Sequence, residues 1–393
     1  MELRRARFLA SPAGQAALMS LPNELAGLDA VRLQTRLRKS FGAEEASALA
    51  EQLEHRAKAV ERFGGSPLSL YSAGGLQMMT HPLVAKRRAA RLAAVGLPIV
   101  DLTCGIGGDL SQLAAGGMRT LGIDSDPVAL TLAAANAPLA GVVRGDAVRP
   151  PVALAGCAVV VDPARREGVQ RTFDPGAYSP PFDLALALAG DAALGVVKTA
   201  PGLDHELVPQ DAELEFVEVG RGLREAAIWR GVGCVRGLRR AVLLPVGVEL
   251  DSTAPESGGE PVPLAEWLFD PRSCVTRAGL VRQLGCRSGG ALVDRHLAYL
   301  TAREPHFDPL MDTFEVLAVV PFSVARLRAA LRAGGWRPDE VRRRAFPIEP
   351  DELRRLVAVR TGTPVTVLCT TIAGERTAII ARRVDGTAKG GRQ

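Results

Sequence analysis

The middle of this 393-residue sequence predicts an α/β fold on a doubly wound, mainly parallel sheet. Three observations predict it. Between residues 97 and 250 short apolar runs alternate with helix-like runs. Four of the apolar runs lead into an aspartate, at Asp101, Asp124, Asp146 and Asp162. The first gives way to a glycine cluster, "DLTCGIGGDL", where a strand should turn into a helix.

The elements follow in order. In residues 1–65, "LDAVRLQTRLRKSF" and "AEEASALAEQLEHRAKAVERF" space their apolar residues three and four apart, as amphipathic helices do. "GGSPLSLYSAGG" breaks that pattern, and Thr80 is placed to cap a further helix, "HPLVAKRRAARLAAVG". "PIVDLTC", "RTLGIDS", "GVVRGDA", "CAVVVDPA" and "LGVVKTA" read as buried parallel strands. "DLSQLAAGG", "DPVALTLAAANA" and "PPFDLALALAG" are the helices between them. "AELEFVEVG" and "REAAIWRG", joined by a short turn, add an antiparallel pair. "DSTAPESGGEPVP", 251–263, is rich in Pro, Gly and Ser and reads as a linker. Beyond it "TFEVLAVVPF", "SVARLRAALRAGG", "EVRRRAF", "PDELRRLVAV", "PVTVLCTTI" and "RTAIIARRV" read as β-α-β-α-β-β, a small α+β unit. The expected division is a helical region 1–95, an α/β domain 96–250, the linker, and an α+β domain 264–388.

Composition narrows the class. Apolar residues make up 47% and charged residues 23%, ordinary for a globular protein. No apolar stretch reaches the roughly 20 residues of a membrane span. "MELRRARFLASPAG" lacks the apolar core of a secretory leader. The six cysteines form no CxxC pair and read as reduced thiols of a cytoplasmic protein. Paired His or Cys ligands are missing too, so no metal is expected. Residues 262–393 hold 21 basic against 14 acidic residues, while the rest holds 27 against 29. A basic C-terminal part points to a polyanionic partner. Arginine outnumbers lysine 43 to 5, so a compositional bias explains the same excess.

The glycine cluster sets the cofactor question. A dinucleotide loop reads G-x-G-x-x-G; Gly105 and Gly107 fit, but Leu110 stands at the third position. Asp109 in the first helical turn would repel a diphosphate seated there. The four aspartates lie at carboxyl ends of strands, the edge where open α/β sheets bind ligands. S-adenosylmethionine carries a sulfonium and an ammonium against one carboxylate, so a ring of acids suits it. Asp124 is placed for the ribose hydroxyls and Asp146 for the adenine amino group.

At these residues the sequence resembles the class I S-adenosylmethionine-dependent methyltransferases. "VDLTCGIGGD" matches their glycine loop, "GIDSDP" the ribose acid, "GDA" the adenine contact and "DPARR" the catalytic loop. "DLTCGIGGD" is similar to the loop of RNA methyltransferases such as the trimethylguanosine synthases. Over residues 70–390 the chain is similar to a bacterial family in which a methyltransferase domain precedes a THUMP-like domain. There "THPLVAKRRAAR", "DPARR", "SPP", "KTAPGLDH" and "EAAIWRG" recur in this order. The resemblance implies a Rossmann-like sheet and S-adenosylmethionine held by Asp101, Cys104, Gly105, Gly107, Gly108, Asp124, Asp146 and Ala147. Small-residue packing is the simpler role for Cys104, with a nucleophile as the alternative.

The resemblance also puts Asp162 and Pro163 beside the transferred methyl group. Amino-methylating relatives carry D/N-P-P and an aromatic residue, whose ring stacks on the base. Here Ala164, Arg165 and Arg166 follow instead, which counts against methylation of a base amine unless Tyr178 or Phe173 supplies the ring. Asp162 is the candidate for aligning the acceptor or taking its proton. Arg165, Arg166 and Arg171 either grip phosphate or carboxylate or pair with Glu167, Asp174 or Asp183. Lys198 either contacts substrate or cofactor or forms a surface ion pair. His81 and His205 are lone histidines, a pattern more often structural than functional. In "EVRRRAF", Arg342 and Arg344 share one strand face, and THUMP-type domains present RNA-binding surfaces. Arg342, Arg344, Arg354 and Arg355 are therefore candidates for tracking a phosphate backbone, unless they form a solvated basic face. The expected function is methylation of RNA, transfer or ribosomal. The alternatives are a small-molecule methyltransferase and a non-catalytic RNA-binding protein.

Overall fold

The computed structural model describes residues 1–21, 29–66, 68–165 and 178–386. The chain forms two compact units: residues 1–214 with 224–237, and residues 215–223 with 238–393.

The first unit opens with helices α1 (Leu3–Ala10), α2 (Pro12–Ser20), α3 (Ala30–Leu37), α4 (Ala43–Phe63), α5 (Ala73–Met78) and α6 (Pro82–Ala93). Short polar side chains start several of them: the Ser11 hydroxyl accepts from Gly14 N at 3.1 Å, and Asp29 accepts from Arg32 N at 2.9 Å. Gly64, with φ of 73°, ends α4 in the left-handed region. Leu49, Leu70 and Tyr71 from this region are fully buried and pack with Ile106 of the glycine loop. Burying each such side chain contributes about 1.5–3 kcal/mol, so the helices brace the loop. One expectation fails here. His81, not Thr80, precedes α6 and accepts from Leu83 N at 3.3 Å. Thr80 instead donates to Asp109 at 2.6 Å.

The α/β part continues with β1 (Ile99–Asp101), α7 (Gly108–Ala115), β2 (Thr120–Asp124), α8 (Pro127–Asn136), β3 (Gly141–Arg144) and β4 (Ala158–Val161). A two-stranded pair, β5 (Ala164–Arg165) and β6 (Tyr178–Ser179), precedes α9 (Phe182–Gly190) and β7 (Leu194–Thr199). A hairpin of β8 (Glu213–Val219) and β9 (Gly222–Gly231) carries the chain out of the first unit and back. The strand order is β9-β7-β4-β1-β2-β3. All neighbours are parallel except β7 and β9. The register Asp101↔Gly122 and Asp124↔Arg144 brings the strand-end acids to one edge. β4 is buried as a continuous apolar run, and β7 is apolar through Val197 before the buried Lys198. β3 departs from that expectation: it is the edge strand and mostly exposed, with a neighbour on one side only.

The second unit holds β10 (Arg239–Leu244), β11 (Val248–Asp251), β12 (Trp267–Pro271), α10 (Ser273–Ala278), α11 (Val281–Ser288), β13 (Ala291–Asp294) and β14 (Leu297–Ala302). It ends with β15 (Met311–Pro321), α12 (Val324–Ala333), β16 (Trp336–Arg343), α13 (Pro350–Leu356), β17 (Thr363–Ile372) and β18 (Glu375–Arg383), in the β-α-β-α-β-β order read from the sequence. The strands from β12 to β18 form a seven-stranded sheet of order β13-β14-β12-β15-β18-β17-β16, mixed in direction because β16 and β17 are parallel, while β10 and β11 pair with each other outside it.

Candidate functional site

The site lies at the carboxyl ends of β1, β2 and β4. Gly105 at φ 53° and Gly107 at φ 89° occupy backbone space that favours glycine, which lets the loop between β1 and α7 turn back over the strand ends. A Cβ on Gly107 would come within 3.1 Å of Ala133 Cα; one on Gly105 would meet nothing within 4 Å. Asp124 fastens the loop, accepting from Gly105 N at 2.9 Å and, through its other oxygen, from Asp126 N at 2.9 Å. Asp101 accepts from Thr103 N, and the Thr103 hydroxyl accepts from Asp162 N at 2.7 Å.

These groups line a cavity of about 720 Å³. Asp101, Asp124, Asp146 and Asp162 all border it, as do Cys104, Gly105, Gly108 and Ala147. Gly107 sits behind, at the N-cap of α7. The Cys104 thiol is buried and pushed well above its ordinary range, first by that burial, so it stays neutral. The volume falls within the range of small-ligand pockets.

Below the acids lies a buried charged cluster. Lys198 Nζ donates to Asp109 at 3.0 Å and also to Asp162 and Thr80. Arg88 bridges Asp109 and Glu225. Burial alone would strip charge from these cations. The carboxylates beside them nevertheless hold Lys198 and Arg88 above their ordinary ranges. Asp109, which burial alone would raise, is pulled below the usual carboxylate range by Arg88 and Lys198. Its charge is thus shared with two cations, so the case against a dinucleotide rests on Leu110 rather than on Asp109. Asp101 has no such cation of its own, and burial lifts its carboxyl to about 7.

A cationic ligand should therefore bind more tightly as Asp101 ionises. Between pH 5.5 and 7 the affinity for S-adenosylmethionine is expected to rise roughly tenfold, as a carboxyl titrating near 7 gives. Asp101→Asn should flatten that profile in a titration series, and a flat wild-type profile would count against the assignment.

Of the remaining sequence candidates, Pro163, beside Asp162, and Lys198 line the cavity, and among the described residues the others do not. Arg165 contributes its backbone to the β5–β6 pair, opposite Tyr178. Arg166, Arg171 and Phe173 lie outside the described residues. Lys198 forms ion pairs, buried ones rather than surface ones. Arg342 and Arg344 lie in the second unit and share Asp270; Arg342 also reaches Glu340 and Asp312, all at 2.8 Å. Arg354 and Arg355 donate to the carbonyls of Asp339 and Asp351. Sequence reasoning missed Arg88, Glu225 and the bonding role of Thr80. In "VAKRRAAR" Arg88 carries no signal that separates it from its solvated neighbours.

A parallel sheet with a glycine loop and acids at its carboxyl edge is the architecture of a class I methyltransferase. The comparisons agree. The sequence profile of the THUMP domain-like family matches residues 311–383, and that of a domain of unknown function matches residues 2–59. An uncharacterised S-adenosylmethionine-dependent methyltransferase of Mycobacterium tuberculosis, in strains CDC 1551 / Oshkosh and H37Rv, is 36% identical over 314 residues, 77% of this chain and 85% of the relative. A candidate methyltransferase of Porphyromonas gingivalis W83 superposes with a TM-score of 0.71 at 18% identity, over 92% of this chain and 97% of its own. The chain belongs to the S-adenosylmethionine-dependent methyltransferases, and its cofactor is S-adenosylmethionine. The residues present fit that cofactor: the glycine loop leaves open space beside Gly105, and the carboxylates of Asp101, Asp124 and Asp146 border the same cavity, a donor set suited to a cationic ligand.

Proposed function

We propose that the chain methylates RNA, transfer or ribosomal, at an atom presented to Asp162. One observation carries this reading: a THUMP-like module accompanies the methyltransferase unit in a single chain. S-adenosylmethionine supplies an electrophilic methyl group on a sulfonium, and the chain has to align the nucleophile and accept its proton. Asp162 is fixed at both ends for that task. Its backbone N–H is held by Thr103 and its carboxylate by Lys198. In this reading Asp101, Asp124, Asp146, Ala147 and the loop from Cys104 to Gly108 hold the cofactor, while Pro163 and Arg165 flank the acceptor.

The experiment is transfer of a tritiated methyl group from S-adenosylmethionine to purified transfer and ribosomal RNA. Label should stay with one RNA class, and RNA binding should fall about 10³-fold or more between 50 and 200 mM salt. A second reading, a small-molecule methyltransferase, is favoured by the carboxylate partners that Arg342 and Arg344 already have. Label appearing only in small metabolites would establish it over the first.

A further inference from the structure

A second opening, about 250 Å³, adjoins the cofactor cavity and shares Met79, Thr80, Asp162, Pro163 and Lys198 with it. No glycine-loop residue lines it, so it meets the methyl-transfer centre without being part of the cofactor cradle. Besides the ion-paired Lys198, three basic side chains border it from three elements: Arg62 at the end of α4, His81 before α6, and Arg224 in β9. None of the three has a carboxylate partner among the described residues. Arg62 donates to the carbonyls of Leu76 and Gln77, at 3.0 Å to the latter. The imidazole of His81 accepts from Leu83 N. The two carboxylates on the same wall, Asp162 and Glu225, are taken by Lys198 and Arg88. The two guanidiniums press on each other and on their neighbour: beyond burial, Arg224 lowers Arg62, and both push the His81 imidazole below its ordinary range, toward its neutral hydrogen-bonding form. Crowded cations without counter-charges are what an anion relieves, and guanidinium forks match phosphate oxygens. Phe63 lines the same opening with its ring already against the Arg62 guanidinium, 4.9 Å away, and the His81 ring, 5.6 Å away, while the buried Tyr178 closes the wall.

We propose that Arg62, His81 and Arg224 anchor a phosphate ester of the methyl acceptor beside Asp162. The inference rests on the RNA reading above and names the part of that substrate the site grips. The phosphate is either an internal diester of an RNA strand or the terminal phosphate of a nucleotide.

The test loads the full chain with S-adenosylhomocysteine and titrates it with a nucleoside monophosphate and with a short single-stranded oligoribonucleotide. The double variant Arg62→Gln/Arg224→Gln is run in parallel, its fold checked by thermal melting. Its affinity for at least one phosphate ester should fall tenfold or more, while S-adenosylhomocysteine binds as before. Loss confined to the oligonucleotide identifies the diester; loss with the monophosphate alone identifies the terminal phosphate. Either loss supports the site. No phosphate-ester binding by the wild type, or equal binding by both proteins, overturns it. The two readings fail separately. RNA labelled undiminished in the double variant rejects this site and keeps the RNA reading. Monophosphate binding that depends on Arg62 and Arg224, with every RNA unlabelled, keeps the site and rejects RNA.

Discussion

Asp162→Asn loses methyl transfer by at least about 10²-fold, the scale of a positioned proton acceptor, while S-adenosylmethionine still binds. The carboxylate borders both openings and is held by Lys198, whereas the glycine loop is fastened by Asp124. The asparagine keeps the backbone bond to Thr103 and nearly the same shape, so folding should survive. Single-turnover transfer and equilibrium titration on the same preparation separate the two effects. Parallel loss of binding and transfer would instead make Asp162 part of the cofactor cradle.

Arg88→Met destabilises the first unit by about 3–5 kcal/mol, because removing one partner leaves buried carboxylates uncompensated. Asp109 would keep Lys198 and Thr80, but Glu225 would lose its only direct ion-pair partner among the described residues. Burial already raises the Glu225 carboxyl above its ordinary value. Without Arg88 both acids protonate more readily, so the deficit should shrink as pH falls from 8 to 5. At roughly 2–4 °C per kcal/mol for a unit of this size, thermal melting should drop by about 6–20 °C at pH 8. An unchanged melting temperature would mean the cluster is solvated.

Local pattern carried most of the fold. The alternating runs from 97 to 250 show as strands and helices because apolar stretches recur between helix-like runs and are bounded by glycine or aspartate. The six elements after residue 310 were legible for the same reason. Residues 267–302 were not: α10 is six residues long and stops at Gly279, Gly285 interrupts α11, and their periodicity never accumulates. β8 was legible as a strand, but the burial of its acids was not. Glu213, Glu215 and Glu218 are buried, and Glu213 and Glu218 meet partners distant in sequence: Arg91 and Arg272. The four acids that border the large cavity could be located because each lies at the end of a strand or just past it. The cluster beneath them could not, since Lys198 lies 89 residues from Asp109 and 36 from Asp162. Thr80 shows the limit of local rules. A cap position and a buried carboxylate competed for its hydroxyl, and the carboxylate, invisible in the local sequence, took it.

The most direct test of the account is calorimetric titration of the chain with S-adenosylmethionine and, separately, NADH, repeated on Asp124→Ala. The account predicts micromolar binding of S-adenosylmethionine alone, weakened at least about tenfold in the variant, as losing a charge-assisted contact of roughly 1.5–3 kcal/mol requires. Binding of NADH, or equal binding of S-adenosylmethionine by both proteins, would contradict it.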